Sequence, residues 1–339
     1  MKRNTYIVIF ILLAIFALNY DIPSRAEYKR DHPEYTKLTS RTLGMGGATV
    51  AWIDDGSSIF HNPAGLGRIT NLTISHSHSR LHFPGEIDNL DQLDADPTSF
   101  IIPLNSLAFG YPIGSAGNGW VLQGELGYDY RTRNDESIPE EHLWGLGPVE
   151  SVQGAGFHLL PWNYLGFAHR KSDYIYVSSD DLPDGVTWRR SGEGYTGGIQ
   201  QAIIPGINFG YVYDQMDYDY QPHRGDIEAE RSKSNITGWC VRPTGWLTIA
   251  RDTENVEWKE WPSADVTSQI RNMWGIELKV GPWLDFRWGS YDGHPTNGWS
   301  YHIGPWRSDS AWVDGFMDEM VEGYESEMKD YHPTGFDLG

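Results

Sequence analysis

Three groups of residues have types and spacings that chemistry could use. His76, His78 and His82 fall on one face of a strand-like run, two and four residues apart. Imidazoles at i and i+2 on a strand can chelate Zn²⁺. No Cys or paired acidic ligand lies close by, so the plainer reading is three polar residues facing a wet interior, and no metal site is expected. Asp54 and Asp55 could form a metal or acid–base pair. They lack a nearby His triad, and Asp side chains cap turns and short helices by accepting backbone N–H bonds. His169, Arg170 and Lys171 place positive charge where a carboxylate-bearing ligand would suit it, or form a solvated strand end. The chain holds no Gly-x-Ser-x-Gly, phosphate loop, paired-Cys motif or Ser/His constellation. Neither an enzyme nor a cofactor is expected.

Totals bound the elements that must position these residues. Lys2 and Arg3, an apolar run of 13 residues from Tyr6 to Leu18, and Ser24-Arg25-Ala26 read as a secretory signal, with cleavage after Ala26. An uncleaved anchor is the alternative, but the run falls short of the roughly 20 residues that span a bilayer. No later segment approaches a transmembrane helix. The remaining chain is exported and soluble, or it crosses a membrane as strands. Net charge is −20 and basic residues form no patch, which argues against nucleic acid. Fifteen Trp, 19 Tyr and 12 Phe make 14% aromatic, high for a soluble domain, while mean hydropathy is −0.48. A membrane barrel looks this polar because half of each strand faces water. The single Cys240 excludes an internal disulfide framework.

From about Thr70 the pattern has period two. Trp120, Leu122, Leu126, Tyr128 and Tyr130 share a face, opposed by Gln123, Glu125, Asp129 and Arg131. Ile207, Phe209, Tyr211 and Tyr213 oppose Asn208, Gly210 and Asp214, with Val212 as an exception. Trp274, Ile276, Leu278 and Val280 oppose Glu277 and Lys279; Leu284, Phe286 and Trp288 oppose Asp285 and Arg287; Trp299, Tyr301 and Ile303 oppose Ser300 and His302. Aromatics at the ends of an apolar face suit a strand crossing a bilayer, and charges in mid-strand suit a polar lumen. A soluble β-sandwich would bury the same faces inward. Ile204-Pro205-Gly206, Arg242-Pro243-Thr244-Gly245, Gly281-Pro282 and Asp292-Gly293-His294-Pro295 punctuate hairpins. Longer polar stretches at 86–96, 132–148 and 221–234 are expected to form long loops on one side. Strand lengths of roughly 9–11 residues give about 12–14 strands.

The N-terminal part is different. Residues 27–69 are rich in Gly, Asp and Ser and read as a compact irregular segment. They contain Leu43-Gly44-Met45-Gly46-Gly47-Ala48, the pair Asp54-Asp55 and Asn62-Pro63-Ala64-Gly65-Leu66, in that order. This succession resembles the N-terminal motif of the FadL-like (long-chain fatty-acid transporter) and PorV/PorQ outer-membrane barrels. Gly275-Ile276-Glu277-Leu278, Trp283 to Trp288, Asn297 to Ile303 and Trp306 to Val313 look like the penultimate hairpins of PorV-type chains. The resemblance implies an all-β transmembrane up-and-down barrel of about 14 strands spanning 70–339, with 27–69 as a plug or hatch in the lumen. Asn62 would bond its own turn or hold the plug to the wall. It implies a monomer in the outer membrane of a Gram-negative-type bacterium, with outer-membrane lipid around it. Function follows as passive uptake of a hydrophobic small molecule; the alternative is a PorV-like partner in protein secretion or surface attachment. Asn71-Leu72-Thr73 and Asn235-Ile236-Thr237 match a glycosylation pattern that is chance in such a setting. One departure stands out: residues 317–335 are acidic and poorly alternating, so the closing strand is atypical or an acidic tail follows it.

Overall fold

The computed structural model describes residues 39–69, 73–81, 93–105, 112–123, 125–130, 141–160, 162–178, 187–221, 228–259, 266–304, 306–313 and 334–338. The expected signal sequence, Asn71 and His82 lie outside them. Among the described residues, fifteen antiparallel strands follow in chain order: β1 (Thr73–Leu81), β2 (Leu93–Asn105), β3 (Pro112–Gln123), β4 (Glu125–Tyr130), β5 (Glu141–Leu160), β6 (Asn163–Ser178), β7 (Thr187–Ile204), β8 (Ile207–Gln221), β9 (Glu228–Thr244), β10 (Leu247–Lys259), β11 (Val266–Val280), β12 (Leu284–Tyr291), β13 (His294–Ile303), β14 (Trp306–Val313) and β15 (Thr334–Leu338).

Strands consecutive in the chain pair with one another, β3 and β4 excepted, and the sheet closes on itself. β3 and β4 are two pieces of one line on β5, with Leu122 opposite Val149 and Glu125 opposite Leu146, while β3 also pairs with β2. Taking β3 and β4 together, the fifteen strands make fourteen staves. β15 pairs with both β1 and β14, placing Phe336 opposite His76 and Ser308. Thr334–Leu338 therefore closes the sheet between β1 and β14, while residues 317–333 of the acidic stretch lie outside the described residues. Closure removes the unpaired edges that a lipid environment does not tolerate.

Burial alternates along the strands as the period-two pattern requires. On β8, Asn208, Gly210, Val212, Asp214 and Met216 face inward and are buried, while Phe209 and Tyr213 are exposed outward. The large apolar residues on the outer surface overturn the sandwich alternative, because a sandwich buries that face. The turns at one end of the barrel carry a belt of tryptophans. Trp162, Trp246, Trp283 and Trp306 are 60%, 53%, 66% and 53% exposed. Amphipathic rings take this position at a membrane interface. The carbonyls of Trp162, Trp246 and Trp283 accept N–H bonds from Ala202, Lys279 and His302 at 2.8 Å each, fixing the belt to adjacent strands.

Beyond Tyr211 and Tyr213 the outer face turns polar: Gln215, Asp217 and Asp219 on β8, Arg231, Lys233 and Asn235 on β9, Thr253, Asn255 and Glu257 on β10. The Tyr211 hydroxyl donates to Asn235 at 2.9 Å and that of Tyr213 to Gln215 at 2.8 Å, marking the boundary. The wall continues past the apolar band. This corrects the long loops expected at 86–96, 132–148 and 221–234, where β2 begins at Leu93, β5 at Glu141 and β9 at Glu228. Asn235 of the glycosylation-like pattern lies in β9.

Residues 39–69 are enclosed by the wall. Helix Ser40–Gly44, helix Ser58–His61 and the 3-10 helix Pro63–Arg68 are too short to stand alone. They are held by packing. Leu43, Met45, Ala48, Ala51 and Trp52 form one apolar cluster with Cys240, Ala250, Met273, Tyr291, Ala311 and Val313 of the wall. Ile59, Phe60, Leu66 and Ile69 form a second with Val152 and Ala168. The core of the molecule thus lies inside the barrel, at the junction of the inner segment and the strands.

Candidate functional site

The inner segment follows the wall through backbone-to-backbone contact. Gly46 and Gly47 have φ of +60° and +78°, conformations that glycine adopts without strain, and they let the chain reverse after helix Ser40–Gly44. Facing them, the wall is paved with glycine. A Cβ on Gly166 would come within 3.0 Å of Pro63, on Gly198 of Asn62, on Gly210 of Val50, and on Gly275 of Met45. The sequence shows these glycines only as inward positions in strands; their partners lie more than a hundred residues away.

One end of the segment is held by ions. Arg41 Nη1 lies 2.5 Å from Asp55 and 3.2 Å from Asp54, its Nε lies 3.8 Å from Glu277, and its guanidinium sits 4.5 Å over the Trp52 ring. Asp55 also binds Arg307 at 2.9 Å and accepts the backbone N–H of Ser57 at 3.0 Å. The network continues into the wall: Arg307 to Asp309 at 2.8 Å, Asp309 to Arg287 at 3.0 Å, Arg287 to Glu277 at 2.9 Å and to Asp285 at 3.6 Å, and Asp285 to His302 at 2.8 Å. Burial alone would push the Asp55 carboxyl up. Arg41 and Arg307 outweigh it and hold the group well below the usual carboxylate range. Burial likewise opposes the charge on Arg41, and Asp55, Glu277 and Asp54 together outweigh it. Asp55 therefore caps a turn, as expected, and is also the ionic hub between inner segment and wall.

Neutral contacts hold the middle. Asp252 Oδ2 accepts the backbone N–H groups of Thr49 at 2.6 Å and Val50 at 2.8 Å. Asn62 accepts from Ala64 N at 3.1 Å, donates to Val50 O at 2.7 Å and reaches Ile199 O on β7 at 3.2 Å. Both expected roles, closing its own turn and bonding the wall, coexist in this one side chain. Gln200 Nε2 donates to the carbonyls of Val50 and Ile53 at 3.1 Å each. Replacing Asp252 with alanine leaves two buried N–H groups without an acceptor, at about 1–3 kcal/mol apiece. The expected result is protease cleavage within 39–69 in a barrel that still resists unfolding; unchanged protection would contradict this role.

The remaining expected residues separate. Of the 169–171 trio, only Arg170 faces the lumen, bound to Asp214 at 2.9 Å. His169 and Lys171 face outward, the former 2.6 Å from Glu193. The three residues separate because neighbours on a strand point to opposite faces. His76 and His78 lie on β1, opposite Thr98 or Thr334 in the ladder. Among the described residues no group of three or more potential ligands could hold a metal.

A cavity of about 60 Å³ lies on the face of the inner segment directed away from the tryptophan turns. Val50 and Phe60 of the segment and Val212, Ile236, Met273 and Tyr291 of the wall supply its apolar lining. Val212, the exception in the β8 pattern, is an inward residue of this lining. The acids at its margin are occupied: Asp214 by Arg170 and by Thr196 at 2.5 Å, Glu254 by Ser234 at 2.6 Å and Arg271 at 3.4 Å.

A closed single-sheet barrel, with its N-terminal segment bound across the lumen, can be compared as a whole. The toluene transporter TbuX of Ralstonia pickettii superposes with a TM-score of 0.59 at 14% identity, covering 89% of this chain and 98% of its own. This is the FadL-like barrel fold. The toluene transporter TodX of P. putida gives 0.58 at 11% identity over 89% and 98%, and the monoaromatic hydrocarbon channel CymD 0.57 at 12% over 89% and 97%. No protein-family model matches the chain, and no curated protein does. In this FadL-like barrel the lumen is crossed by buried protein, and the space next to that protein has a mixed lining, apolar on Val50, Phe60, Val212, Ile236, Met273 and Tyr291 and polar on Thr49, His61, Thr196, Asp214, Ser234 and Glu254.

Proposed function

We propose that the protein is an outer-membrane channel for passive entry of small hydrophobic molecules, with residues 27–69 acting as its plug and 1–26 as a removed export signal. The observation that carries this reading is the cavity between Val50, Phe60, Val212, Ile236, Met273 and Tyr291. The two acids at its margin, Asp214 and Glu254, are already engaged by Arg170, Thr196, Ser234 and Arg271, so an apolar ligand enters without stranding a carboxylate. At about 60 Å³ it has room for roughly four waters, and so for a ring or a short alkyl end rather than a whole fatty chain. Outer-membrane barrels place longer connections outside the cell and short turns in the periplasm. In that orientation the cavity faces the outside and the tryptophan turns face the periplasm. The names of the structurally similar toluene and monoaromatic channels support the same class of ligand. Passage beyond the cavity then requires the plug to move or the wall to open.

Filling the cavity tests this. Gram-negative cells producing the Val212→Trp variant should accumulate a radiolabelled monoaromatic at least tenfold more slowly than cells producing the wild type. Equal rates in the two, with equal barrel in the membrane, would overturn the assignment of the cavity as the entry site.

A further inference from the structure

We propose that the end of β11 remote from the short turns is a docking edge for an extended segment of another protein, which adds a strand to the wall above β12 and carries β-branched or aromatic residues at every second position. The edge is created by a step in the barrel. β10 and β11 pair along their length, from Leu247 opposite Leu278 to Lys259 opposite Val266. β12 accompanies β11 only from Val280 to Met273, where Tyr291 lies opposite. Among the described residues nothing pairs with residues 266–270 on the β12 side. At about 3.3 Å per residue, those five residues make a step of roughly 17 Å along the strand.

The last rung shows which way the backbone groups point. The Asp292 N–H donates to the Asn272 carbonyl at 2.9 Å, and Asp292 Oδ1 accepts the Asn272 N–H at 3.2 Å. Asn272 thus aims both backbone groups at the β12 side. Lys279, of the other parity, donates to the Trp246 carbonyl at 2.8 Å on the β10 side. This direction repeats every second residue, so Ile270, Ser268 and Val266 aim N–H and C=O at the open edge, and Gln269 aims its own at β10. The same three residues turn their side chains outward. Val266 is 68% and Ile270 43% exposed, Ser268 is exposed, and Gln269 is buried.

This edge is built to be paired. It lies beyond Trp274, beside the polar outer face of β10, so its groups are reached through water and not through lipid. Natural edges are blunted by charge, proline or a bulge. Val266-Thr267-Ser268-Gln269-Ile270 has neither charge nor proline, and its register with β10 is regular. Asp292, at a φ of +47°, turns the chain back into β13, so β12 itself does not rise over the edge. A second copy does not fit the place. Two identical edges pair antiparallel about a twofold axis across the strands, and that axis would turn the second barrel upside down in the membrane. The occupant therefore comes from another protein. Residues directly opposite share a face. The side chains that flank Val266 and Ile270 thus belong to the residues whose N–H groups bond the edge, and apolar ones cover both. In the orientation given above, the surface faces outside the cell.

The purified full-length barrel in detergent tests this with a seven-residue peptide, valine at every second position, threonine between and lysine at each end. Amide hydrogen exchange is followed residue by residue by NMR. Without peptide, the N–H groups of Ser268 and Ile270 should exchange at least tenfold faster than that of Gln269; peptide should slow them at least tenfold. Methylating the valine nitrogens, which face the edge, should abolish the effect. Methylating the threonine nitrogens, which face water, should leave it. Ser268→Pro removes an edge N–H and no bond to β10, and should weaken binding at least tenfold, while Ser268→Thr should not. A gel shift on boiling verifies closure of both variants, and the methylated peptides give the same answer on the wild type alone. Slow exchange of Ser268 and Ile270 without peptide, no slowing at millimolar peptide, or equal effects of the two methylated peptides would each overturn the proposal. Uptake is not read here, so failure of this test leaves the channel reading standing.

Discussion

Replacing Gly210 with valine is expected to turn a silent barrel into a conducting one. Gly210 faces inward on β8, and a Cβ there would meet the backbone of Val50 closer than 3.0 Å. Neither partner can yield, because Val50 N is held by Asp252, and its carbonyl by Asn62 and Gln200. Valine is itself a good strand residue, so the wall should form normally and the misfit should fall on the inner segment. Overpacking costs about 1–3 kcal/mol. The upper part of that range raises the unseated population roughly a hundredfold, at about 1.4 kcal/mol per factor of ten. Planar-bilayer recording reads the result: near-silence for the wild type, stepwise conductance for Gly210→Val. The matched control is Gly197→Val, one strand away, where a Cβ would meet only the Phe167 ring at 4.0 Å. Conductance in both variants, or in neither, would contradict the docking described here.

The second large effect is expected at Arg41. Arg41→Met leaves Asp55 with Arg307 alone and removes one of the charges facing Glu277. Breaking a buried ion pair from one side costs about 3–5 kcal/mol. The strand ladder does not depend on this pair, so the loss should appear as release of the inner segment rather than as barrel unfolding. Methionine at position 41 together with Asp55→Asn should cost less than the sum of the two single changes, since the second removes the carboxylate stranded by the first. The pH dependence has a definite sign. A carboxylate whose folded pKa is depressed contributes stability above its unfolded value, near 4, and loses that contribution only as pH falls through the folded value. Asp55 is held well below the usual range, so acidification to about pH 4–5 should leave the wild type closed. Conductance appearing between pH 7 and 5 would show that a group other than Asp55 sets the pH dependence of the segment's release.

How far the sequence anticipates this architecture depends on what each residue faces. Where a strand has lipid on one side and a polar lumen on the other, the alternation is plain, as from Ile207 to Tyr213 and from Trp274 to Val280. Where the wall continues beyond the apolar band, both faces are polar. The alternation then disappears, so residues 228–234 and 141–148 read as loop although they are strand. The inner segment shows itself through its glycines and its Asn-Pro-Ala turn. Its partners are silent in the sequence: Asp252 accepts from Thr49 across 203 positions and Arg307 meets Asp55 across 252. Glu277 and Arg287 were visible as charges in mid-strand, without a sign that they face each other at 2.9 Å.

The central claim is that this chain forms a closed barrel seated in a membrane, with its core inside the lumen. Heat-modifiability in outer-membrane fractions tests it most directly, by comparing boiled and unboiled samples on a denaturing gel. A ladder that returns from the last strand to the first should survive detergent at room temperature, so the account predicts a membrane-bound band that changes mobility only on boiling. A band in the soluble fraction that runs alike with and without boiling would contradict it.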